Sequence, residues 1–301
     1  MSNGCAVAIV PVYDGGDALV EAVDALLRSQ PRAPRVLLVV NRDGAGVCDR
    51  VARKHGENVE LLRPASNLGF AGGVNCGIAH ALTGAAPSEA IVLVNQDCIV
   101  EIDAIHRLVA TLDDPSVGIA GALLFDRDAK TVQHAGGRVH PNGLTDHLGR
   151  GGNDAEWTTR GMIEADYVTG ALCAFRADVW QRYGPFDAGY HPVYFEEVDF
   201  CSKLRRAGLR VVVEPGVRGV HAEASSSGRG SALFLQRYHG SRMRFAARHL
   251  LRDGRMASAL AAEARWLLRL RTTAEIIPAL KAYARLPQEI RAGAAARRWS
   301  S

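Results

Sequence analysis

The sequence lacks any uninterrupted apolar run long enough to cross a bilayer. Of its 301 residues, 48% are hydrophobic, yet no stretch reaches the roughly 18 apolar residues that a transmembrane helix needs. The first apolar segment, residues 6–12, is too short for a signal sequence, and no basic residue precedes it. We therefore expect a folded cytoplasmic protein without a transmembrane helix.

Cysteine pairs are also missing. None of the six cysteines belongs to a Cys-x-x-Cys pair, and none lies in a histidine-containing cluster spaced like a zinc site. This pattern is typical of free thiols in a reducing compartment. The sequence has no internal repeat either, and its length and apolar content suffice for one large core with an appendage.

The net charge of +4 hides an uneven distribution. Residues 237–301 contain fourteen Lys or Arg and four acidic residues, a balance of +10, so the remaining residues carry −6. We expect this basic segment to contact an anionic surface or to cover an acidic one. No recognised nucleic-acid-binding module accompanies the charge, so nucleic-acid binding is not predicted.

The first 125 residues alternate between apolar runs rich in β-branched residues and segments with helical periodicity. The predicted strands are residues 6–12, 35–40, 59–62, 90–94 and 118–124. The predicted helices are residues 18–28, 47–55, 72–82 and 102–112. Right-handed crossovers would assemble these units into an α/β fold, a mostly parallel, Rossmann-like sheet flanked by helices, with its ligand site beyond the carboxyl ends of the strands.

The pattern is less regular after residue 125. A glycine-rich, polar stretch at residues 134–152 predicts a long flexible loop or an acceptor-facing insertion. From residue 232 onward, Ala, Leu and Arg predominate, which predicts a helical C-terminal extension. Between these regions we expect three elements: a strand at 167–175 that Gly170 interrupts, a helix at 197–207, and a last strand at 210–213 before Glu214 and Pro215.

An acidic cluster at residues 193–201 has the composition of a catalytic site. It places the carboxylates of Glu196, Glu197 and Asp199 within four residues at the predicted start of a helix. If the three face a shared cleft, repulsion and partial burial raise the pKa of at least one, which makes that group usable as a general base near neutral pH. The alternative is a charged first helical turn in which Asp199 pairs with Lys203.

A further acid, Asp97, follows the apolar strand 90–94 in the motif Asn95-Gln96-Asp97. A carboxylate at the end of a buried strand is suited to hold a metal ion together with phosphate oxygens. The alternative is an ordinary N-cap for the helix predicted to begin near Ile102.

Seven segments, in order along residues 6–227, resemble glycosyltransferase family 2, specifically its rhamnosyltransferase-like branch. They are residues 10–16 (VPVYDGG), 67–77 (NLGFAGGVNCG), 94–97 (VNQD), 168–171 (VTGA), 184–187 (GPFD), 194–199 (YFEEVD) and 220–221 (VH). The resemblance implies a GT-A fold over residues 1–227. Its nucleotide-sugar half would span about residues 1–125 and its acceptor-side half 126–227, with the basic helical extension at 228–301.

The resemblance also implies a reaction, the inverting transfer of a sugar from a nucleotide-diphospho-sugar to an acceptor hydroxyl. Such a reaction needs a base for the hydroxyl proton and a cation to neutralise the leaving diphosphate. By similarity, Glu197 occupies the position of the base, with Asp199 and Glu196 as alternatives in the same cluster. Asp97 and His221 occupy metal-contacting positions for Mg²⁺ or Mn²⁺, although a lone histidine such as His221 is also common as a structural group.

The other motif residues are expected, by similarity, to line the donor and acceptor sites. Asp14 and Asn75 would contact the nucleoside, with a turn and tight packing as their respective alternatives, and His191 would face the acceptor. The predicted substrate-binding residues are Pro11, Tyr13, Asp14, Asn41, Asp43, Asn67, Gly69, Gly72, Asn75, Gln96, Gly170 and His191.

The family branch implies dTDP-rhamnose as the donor and a glycan or polyprenyl-linked acceptor in cell-surface polysaccharide synthesis. Glycosylation of a secondary-metabolite aglycone and a non-catalytic sugar-nucleotide-binding module of the same fold are the alternatives. The basic extension is expected either to lie on the inner face of the cell membrane or to pack on the catalytic domain or in a homodimer interface.

Overall fold

The computed structural model describes residues 6–83, 88–222, 231–251 and 255–298. The start of the chain, Met1–Cys5, and the predicted domain boundary at residues 227–228 lie outside the described residues. The chain divides into two compact units. The first comprises residues 1–137, 147–192 and 196–223, and the second comprises residues 138–146, 193–195 and 224–301.

The strands form a main sheet and a second, two-stranded sheet. In chain order, the strands are β1 (Ala6–Tyr13), β2 (Arg35–Arg42), β3 (Val59–Leu62), β4 (Ala90–Val94), β5 (Cys98–Val100), β6 (Val117–Phe125), β7 (Val132–His134), β8 (Gly137–Val139), β9 (Thr145–His147), β10 (Ile163–Glu164), β11 (Leu172–Arg176) and β12 (Arg210–His221). The main sheet, which belongs to the first unit, has the order β10-β12-β6-β11-β4-β1-β2-β3, while β5 pairs with β12 and β7 with β6. β8 and β9 pair with each other, and most of this two-stranded sheet belongs to the second unit.

Most strands of the main sheet run parallel, as predicted. β1 pairs in parallel with β2 and β4, β2 with β3, and β6 with β12. β11 lies between β4 and β6 and is antiparallel to both. The short strands β5, β7 and β10 also pair antiparallel with their neighbours. The apolar runs form these strands because both faces of the sheet are covered, as in β4 and β6, where every residue is buried.

The helices follow the predicted alternation. They are α1 (Gly16–Leu27), α2 (Val47–His55), α3 (Gly69–Thr83), α4 (Ala104–Ala110), α5 (Ala155–Thr158), α6 (Ala177–Tyr183), α7 (Glu196–Arg206), α8 (Ala232–Phe245), α9 (Met256–Leu267), α10 (Thr273–Tyr283) and α11 (Leu286–Arg298). α1 buries Leu19, Val23 and Leu26, which share one face at helical spacing. No helix among the described residues combines the length and apolar character that a membrane span requires.

The structure differs from the sequence expectations in two places. The strand predicted to stop at residue 213 continues through Pro215 to His221, because its pairing with β6 shifts register between Glu214 and Arg218, and such an irregularity accommodates a residue without an N–H. The stretch 134–152, predicted as a flexible loop, instead contains β8 and β9 and the end of β7.

The second unit is held together by a buried ion pair. Arg242 of α8 is fully buried, and its guanidinium contacts both carboxylate oxygens of Glu263 in α9, at 2.7 and 2.8 Å. Asn142 donates to the same carboxylate at 2.8 Å, and the ring of Trp266 lies 4.7 Å from the guanidinium carbon. Because a buried charge without its partner is strongly destabilising, this pair fixes the loop 138–146 against α8 and α9.

The same unit includes the segment 193–195, directly before α7. Tyr194 and Phe195 have φ angles of +84° and +76°, in the left-handed region that costs about 1–3 kcal/mol for such residues. Phe195 compensates by packing on Tyr238 and Phe245 of α8, with ring centroids 5.3 and 5.5 Å apart. The backbone entering α7 is therefore held by aromatic packing.

Candidate functional site

Two neighbouring strand ends meet beside Asp97. His221, the last residue of β12, is the antiparallel partner of Cys98 in β5, and the N–H of Ala222 donates to the carbonyl of Asp97 at 3.0 Å. This register brings Nε2 of His221 to 3.3 Å from Oδ1 of Asp97. Both residues are buried, at 7% and 9% exposure for Asp97 and His221. The two predicted metal-contacting residues therefore form a close pair.

Asp97 does not cap a helix. β5 separates it from α4, which begins at Ala104 with Asp103 at its N-cap position. The N-cap alternative for Asp97 is therefore wrong. Within the described residues, no group of three or more His, Cys, Asp or Glu side chains is arranged to hold a metal ion. Asp97 and His221 are two adjacent side chains of the types that can bind a divalent cation.

The side chain of Glu197 contacts the segment 169–171. The N–H of Gly170 donates to Oε1 of Glu197 at 3.4 Å, and the carbonyl of the next residue, Ala171, accepts from the N–H of Asn95 at 3.0 Å. Asn95 is two residues from Asp97. The two acidic segments predicted to form one site thus contact the same three-residue strip of backbone.

The environment of Glu197 raises its pKa. Burial is the largest cause, because it disfavours the charged carboxylate, while the backbone N–H groups of Glu197 and Gly170 oppose the shift. The side chain is only partly exposed. The sequence predicts a raised pKa from repulsion among the three acids together with partial burial, and burial is the largest cause in the structure.

The other two acids of the cluster have different surroundings. Asp199 is completely buried, lies 2.9 Å from Nζ of Lys203 one turn later, and accepts from the hydroxyl of Tyr190 at 3.2 Å. Glu196 is also buried, at 1% exposure. Asp199 therefore matches the helical ion pair that was the alternative interpretation of this cluster.

The glycine-rich loop before α3 is held by asparagine side chains. Asn41 accepts from the N–H of Leu68 at 2.9 Å and donates to the carbonyl of Gly69 at 3.2 Å, and Asn67 accepts from the N–H of Gly69 at 2.9 Å. Gly69 has φ +69°, and a Cβ there would lie 2.8 Å from both the ring of His191 and the carbonyl of Pro192. Only glycine permits this approach.

Several predicted substrate-binding residues brace the backbone. The amide of Asn75 accepts from the N–H of Phe186 and donates to its carbonyl, at 2.9 and 2.8 Å. The amide of Gln96 makes the same reciprocal pair with Tyr13, at 2.8 and 3.0 Å. These bonds use both the oxygen and the nitrogen of each side-chain amide, so Asn75 and Gln96 position the loops around the site. For Asn75, this is the packing role given above as its alternative.

Asp43 has a local role at the end of β2. Its carboxylate accepts from the N–H groups of Val47 and Cys48, at 2.8 and 3.1 Å, and so satisfies the first turn of α2. Asp14, at the end of β1, has φ +55° and lies 3.1 Å from Nε of Arg42. Pro11 lies within β1, short of the strand end.

Two glycines predicted to approach a ligand instead contact side chains. A Cβ at Gly170 would lie 2.6 Å from the ring of Phe70, and one at Gly72 would lie 2.8 Å from Cβ of Leu68. The contact between Phe70 and Gly170 joins the start of α3 to the strip that Glu197 contacts. Sequence reasoning missed Phe70, because nothing in its motif indicates a partner a hundred residues away.

The mostly parallel sheet and its flanking helices form the GT-A class of fold, which solved glycosyltransferase structures share. The crystal structure titled GalNAc-T7 with UDP, GalNAc and Mn²⁺ has the same fold, with a TM-score of 0.66 at 16% identity. The match covers 88% of this chain and 51% of that one. The chain thus spans about half the length of this structural neighbour.

The sequence comparison gives the family. The profile described as "Glycosyltransferase like family 2" matches residues 4–255, and the chain belongs to this family. It is 27% identical over 263 residues to the N-acetylglucosaminyl-diphospho-decaprenol L-rhamnosyltransferase of Mycobacterium tuberculosis, across 79% of this chain and 83% of that protein.

A second relative is much longer. The chain is 27% identical over 229 residues to the uncharacterized protein y4gI of Sinorhizobium fredii. The match takes in 73% of this chain and 24% of that protein. The chain thus spans about a quarter of the length of this relative.

The raised pKa of Glu197 predicts a pH-dependent effect on stability. The folded state binds the Glu197 proton more tightly than the unfolded chain, so the wild type loses stability as pH rises from the ordinary glutamate pKa through the raised one. The Glu197→Gln variant has no carboxyl group at this position, so it does not lose stability in this way. We expect its melting temperature to exceed that of the wild type at pH 8, and the difference to shrink as pH falls toward about 4.

The matched control is Glu21→Gln, an exposed glutamate on α1, for which the difference from the wild type should not change in this way. Thermal unfolding followed by circular dichroism across this pH range gives the measurement. A Glu197→Gln difference that stayed constant with pH would show that burial does not penalise the Glu197 carboxylate.

Proposed function

We propose that this protein is an inverting glycosyltransferase that transfers a sugar from a nucleotide-diphospho-sugar to an acceptor hydroxyl. The observation that carries the proposal is that Glu197 contacts the strip 169–171, which also pairs with Asn95, two residues from Asp97 of the pair Asp97–His221. That strip lies beyond the carboxyl end of β4, where open α/β sheets bind ligands. A base and an anion-binding group are the two functions that the reaction needs.

Glu197 is the proposed base. The acceptor oxygen attacks the anomeric carbon while the bond from that carbon to the diphosphate oxygen breaks, and the electron pair of that bond leaves with the diphosphate. The acceptor proton passes to Glu197. A carboxylate with a raised pKa is a better proton acceptor near neutral pH, which supports this role. The ion pair of Asp199 with Lys203 makes Asp199 the weaker alternative.

The pair Asp97–His221 fits a divalent cation. A carboxylate oxygen and an imidazole nitrogen 3.3 Å apart suit Mn²⁺ or Mg²⁺, with the donor diphosphate completing the ligand set. The structural neighbour named above was crystallised with UDP and Mn²⁺. When bound there, the ion would neutralise charge on the leaving diphosphate.

The proposed donor is dTDP-rhamnose, and the proposed acceptor is a polyprenyl-diphosphate-linked glycan in cell-surface polysaccharide synthesis. The relative from Mycobacterium tuberculosis, whose name gives L-rhamnose as the sugar and a decaprenol-linked acceptor, supports both choices. The residues predicted to contact the donor lie at the ends of β1 and β2 and in the loop before α3, on the side of the sheet that holds Asp97.

Removal of the base tests the mechanism. We expect Glu197→Gln to lower kcat by about 10²–10⁴-fold, because the neutral amide cannot accept the acceptor proton. Its affinity for the donor should remain near that of the wild type, as measured by calorimetry or by thermal shift against a panel of nucleotide sugars, in which dTDP-rhamnose should give the largest stabilisation.

Asp199→Asn is the matched variant within the same helix. We expect it to lower the melting temperature and to change kcat much less than Glu197→Gln does. Wild-type turnover by Glu197→Gln, or loss of turnover only in Asp199→Asn, would assign the base to another residue.

Removal of the metal-contacting carboxylate tests the cation. We expect a chelator to abolish wild-type turnover and added Mn²⁺ or Mg²⁺ to restore it. Asp97→Asn should need at least ten times more metal for half-maximal rate, because the amide oxygen carries no net charge. Asp17→Asn, an exposed acid on α1, serves as the control. Full activity of the wild type in the presence of the chelator would refute metal dependence.

The second unit supports a peripheral contact with the inner face of the cell membrane. On α10, Ile277, Leu280 and Lys281 share one face at helical spacing and are all exposed, whereas Ala279 and Ala282 on another face are buried. Leu268, in the turn between α9 and α10, is 85% exposed and is followed by an exposed Arg269. Exposed apolar groups with basic neighbours are typical of surfaces that bind anionic lipid.

Vesicle flotation tests this contact. We expect the wild type to float with vesicles containing phosphatidylglycerol and to be released by high salt, because part of the attraction is electrostatic. The double variant Leu268→Asn/Leu280→Asn should bind at least ten times more weakly. Ile102→Asn, an equally exposed apolar residue of the first unit, should bind like the wild type. Unchanged flotation of the double variant would instead favour the packing or homodimer alternative for this surface.

A further inference from the structure

Gln133, in β7, is a buried amide whose polar atoms all face the end of β12. It is 3% exposed. Its Nε2 lies 2.9 Å from Oδ1 of Asp126 and 3.0 Å from the carbonyl oxygen of His221. Its Oε1 lies 2.7 Å from Nδ1 of the His221 ring. Neither the motifs nor the family resemblance marks this residue.

These contacts determine which way the amide points. The two partners of Nε2 are a carboxylate and a carbonyl, both of which only accept hydrogen bonds, so an inverted amide would place its oxygen against two oxygens. The orientation with Oε1 toward the imidazole is the one that satisfies all three contacts. Because Oε1 can only accept, Nδ1 of His221 must carry a proton.

The proton on Nδ1 leaves Nε2 of a neutral His221 with its lone pair. That nitrogen faces Nδ2 of Asn95 at 3.1 Å and Oδ1 of Asp97 at 3.3 Å. The carboxylate alone would favour the opposite tautomer, in which Nε2–H donates to Asp97. The orientation of Gln133 and the charge of Asp97 therefore compete for one proton.

We propose that Gln133 is a positioning residue that fixes the Nδ1–H tautomer of His221. The resulting lone pair on Nε2 lies next to the carboxylate of Asp97, so these two acceptors favour a cation or an N–H donor as their neighbour. The amide of Asn95 supplies such a donor in this structure, and a divalent cation would replace it. The functional meaning of this tautomer rests on the proposed metal-contacting role of His221. The tautomer itself follows from the hydrogen bonds and does not depend on that role.

Nitrogen-15 NMR of protein labelled at histidine tests the tautomer directly. Protonated and unprotonated ring nitrogens have well-separated shifts, and the His221 signals can be assigned by their loss in His221→Gln. At about pH 9, where imidazole is neutral, we expect Nδ1 of His221 to be the protonated nitrogen in the wild type. A wild-type spectrum with the proton on Nε2 would overturn the proposal without any variant.

Variants separate Gln133 from other causes. In Gln133→Met, a side chain of similar length without an acceptor, the proton should move to Nε2 and toward Asp97. In the matched control Asp126→Asn, an oxygen still faces Nε2 of Gln133, so the Nδ1–H tautomer should persist. Gln133→Glu, which keeps an oxygen opposite Nδ1, should also retain it. Persistence of the Nδ1–H tautomer in Gln133→Met would show that another group fixes it.

A second readout distinguishes this proposal from the proposed function. Mn²⁺ alone, titrated into the wild type, should broaden the His221 signals, and Gln133→Met should bind Mn²⁺ about 10–100-fold more weakly, the usual effect of removing a partner of a metal-bound histidine. A tautomer that depends on Gln133 without Mn²⁺ broadening would support this inference and count against the metal-contacting role. The reverse result would count against Gln133 alone.

Discussion

The arrangement of the site depends on the direction of β11, an antiparallel strand between β4 and β6. β11 pairs with β4 on one side and with β6 on the other, and it runs against both. Because of this direction, β11 begins where β4 ends, so the residues before it, 169–171, lie beside Asn95 at the ligand-binding edge. A parallel strand in the same place would carry those residues to the opposite edge, and Glu197 would have no neighbour there.

Several of the predicted substrate-binding residues around this edge form hydrogen bonds with the backbone. Asn41, Asn75 and Gln96 each make paired hydrogen bonds with a loop or strand end. A hydrogen bond of this kind contributes about 1 kcal/mol to folding stability, and leaving one buried partner unsatisfied costs more. The loops are thereby held rigid, which is what a site for an anionic ligand requires. The proposed function assigns chemistry to three other side chains: Asp97, His221 and Glu197.

Packing within the second unit stabilises its segment 193–195. Aromatic packing of Phe195 holds two left-handed residues in place immediately before Glu196, and the Arg242–Glu263 pair anchors the loop 138–146 to the helices of the same unit. Both features use residues that are distant in sequence. The aromatic packing offsets the unfavourable backbone conformation of Tyr194 and Phe195.

The sequence by itself determined the alternation of strands and helices, the mostly parallel sheet and the identity of the acidic segments, because hydrophobic periodicity and local motifs are short-range properties. It could not determine the direction of β11, the continuation of β12 past Pro215 or the pairing of His221 with Cys98, since these depend on register between distant strands. Nor could the sequence decide which of Glu197 and Asp199 is the better candidate for the base, since both lie in the same local motif. Only the tertiary structure decided that one is paired with Lys203 and the other lies beside Gly170, because side-chain environment is set by what packs against a helix rather than by its own sequence.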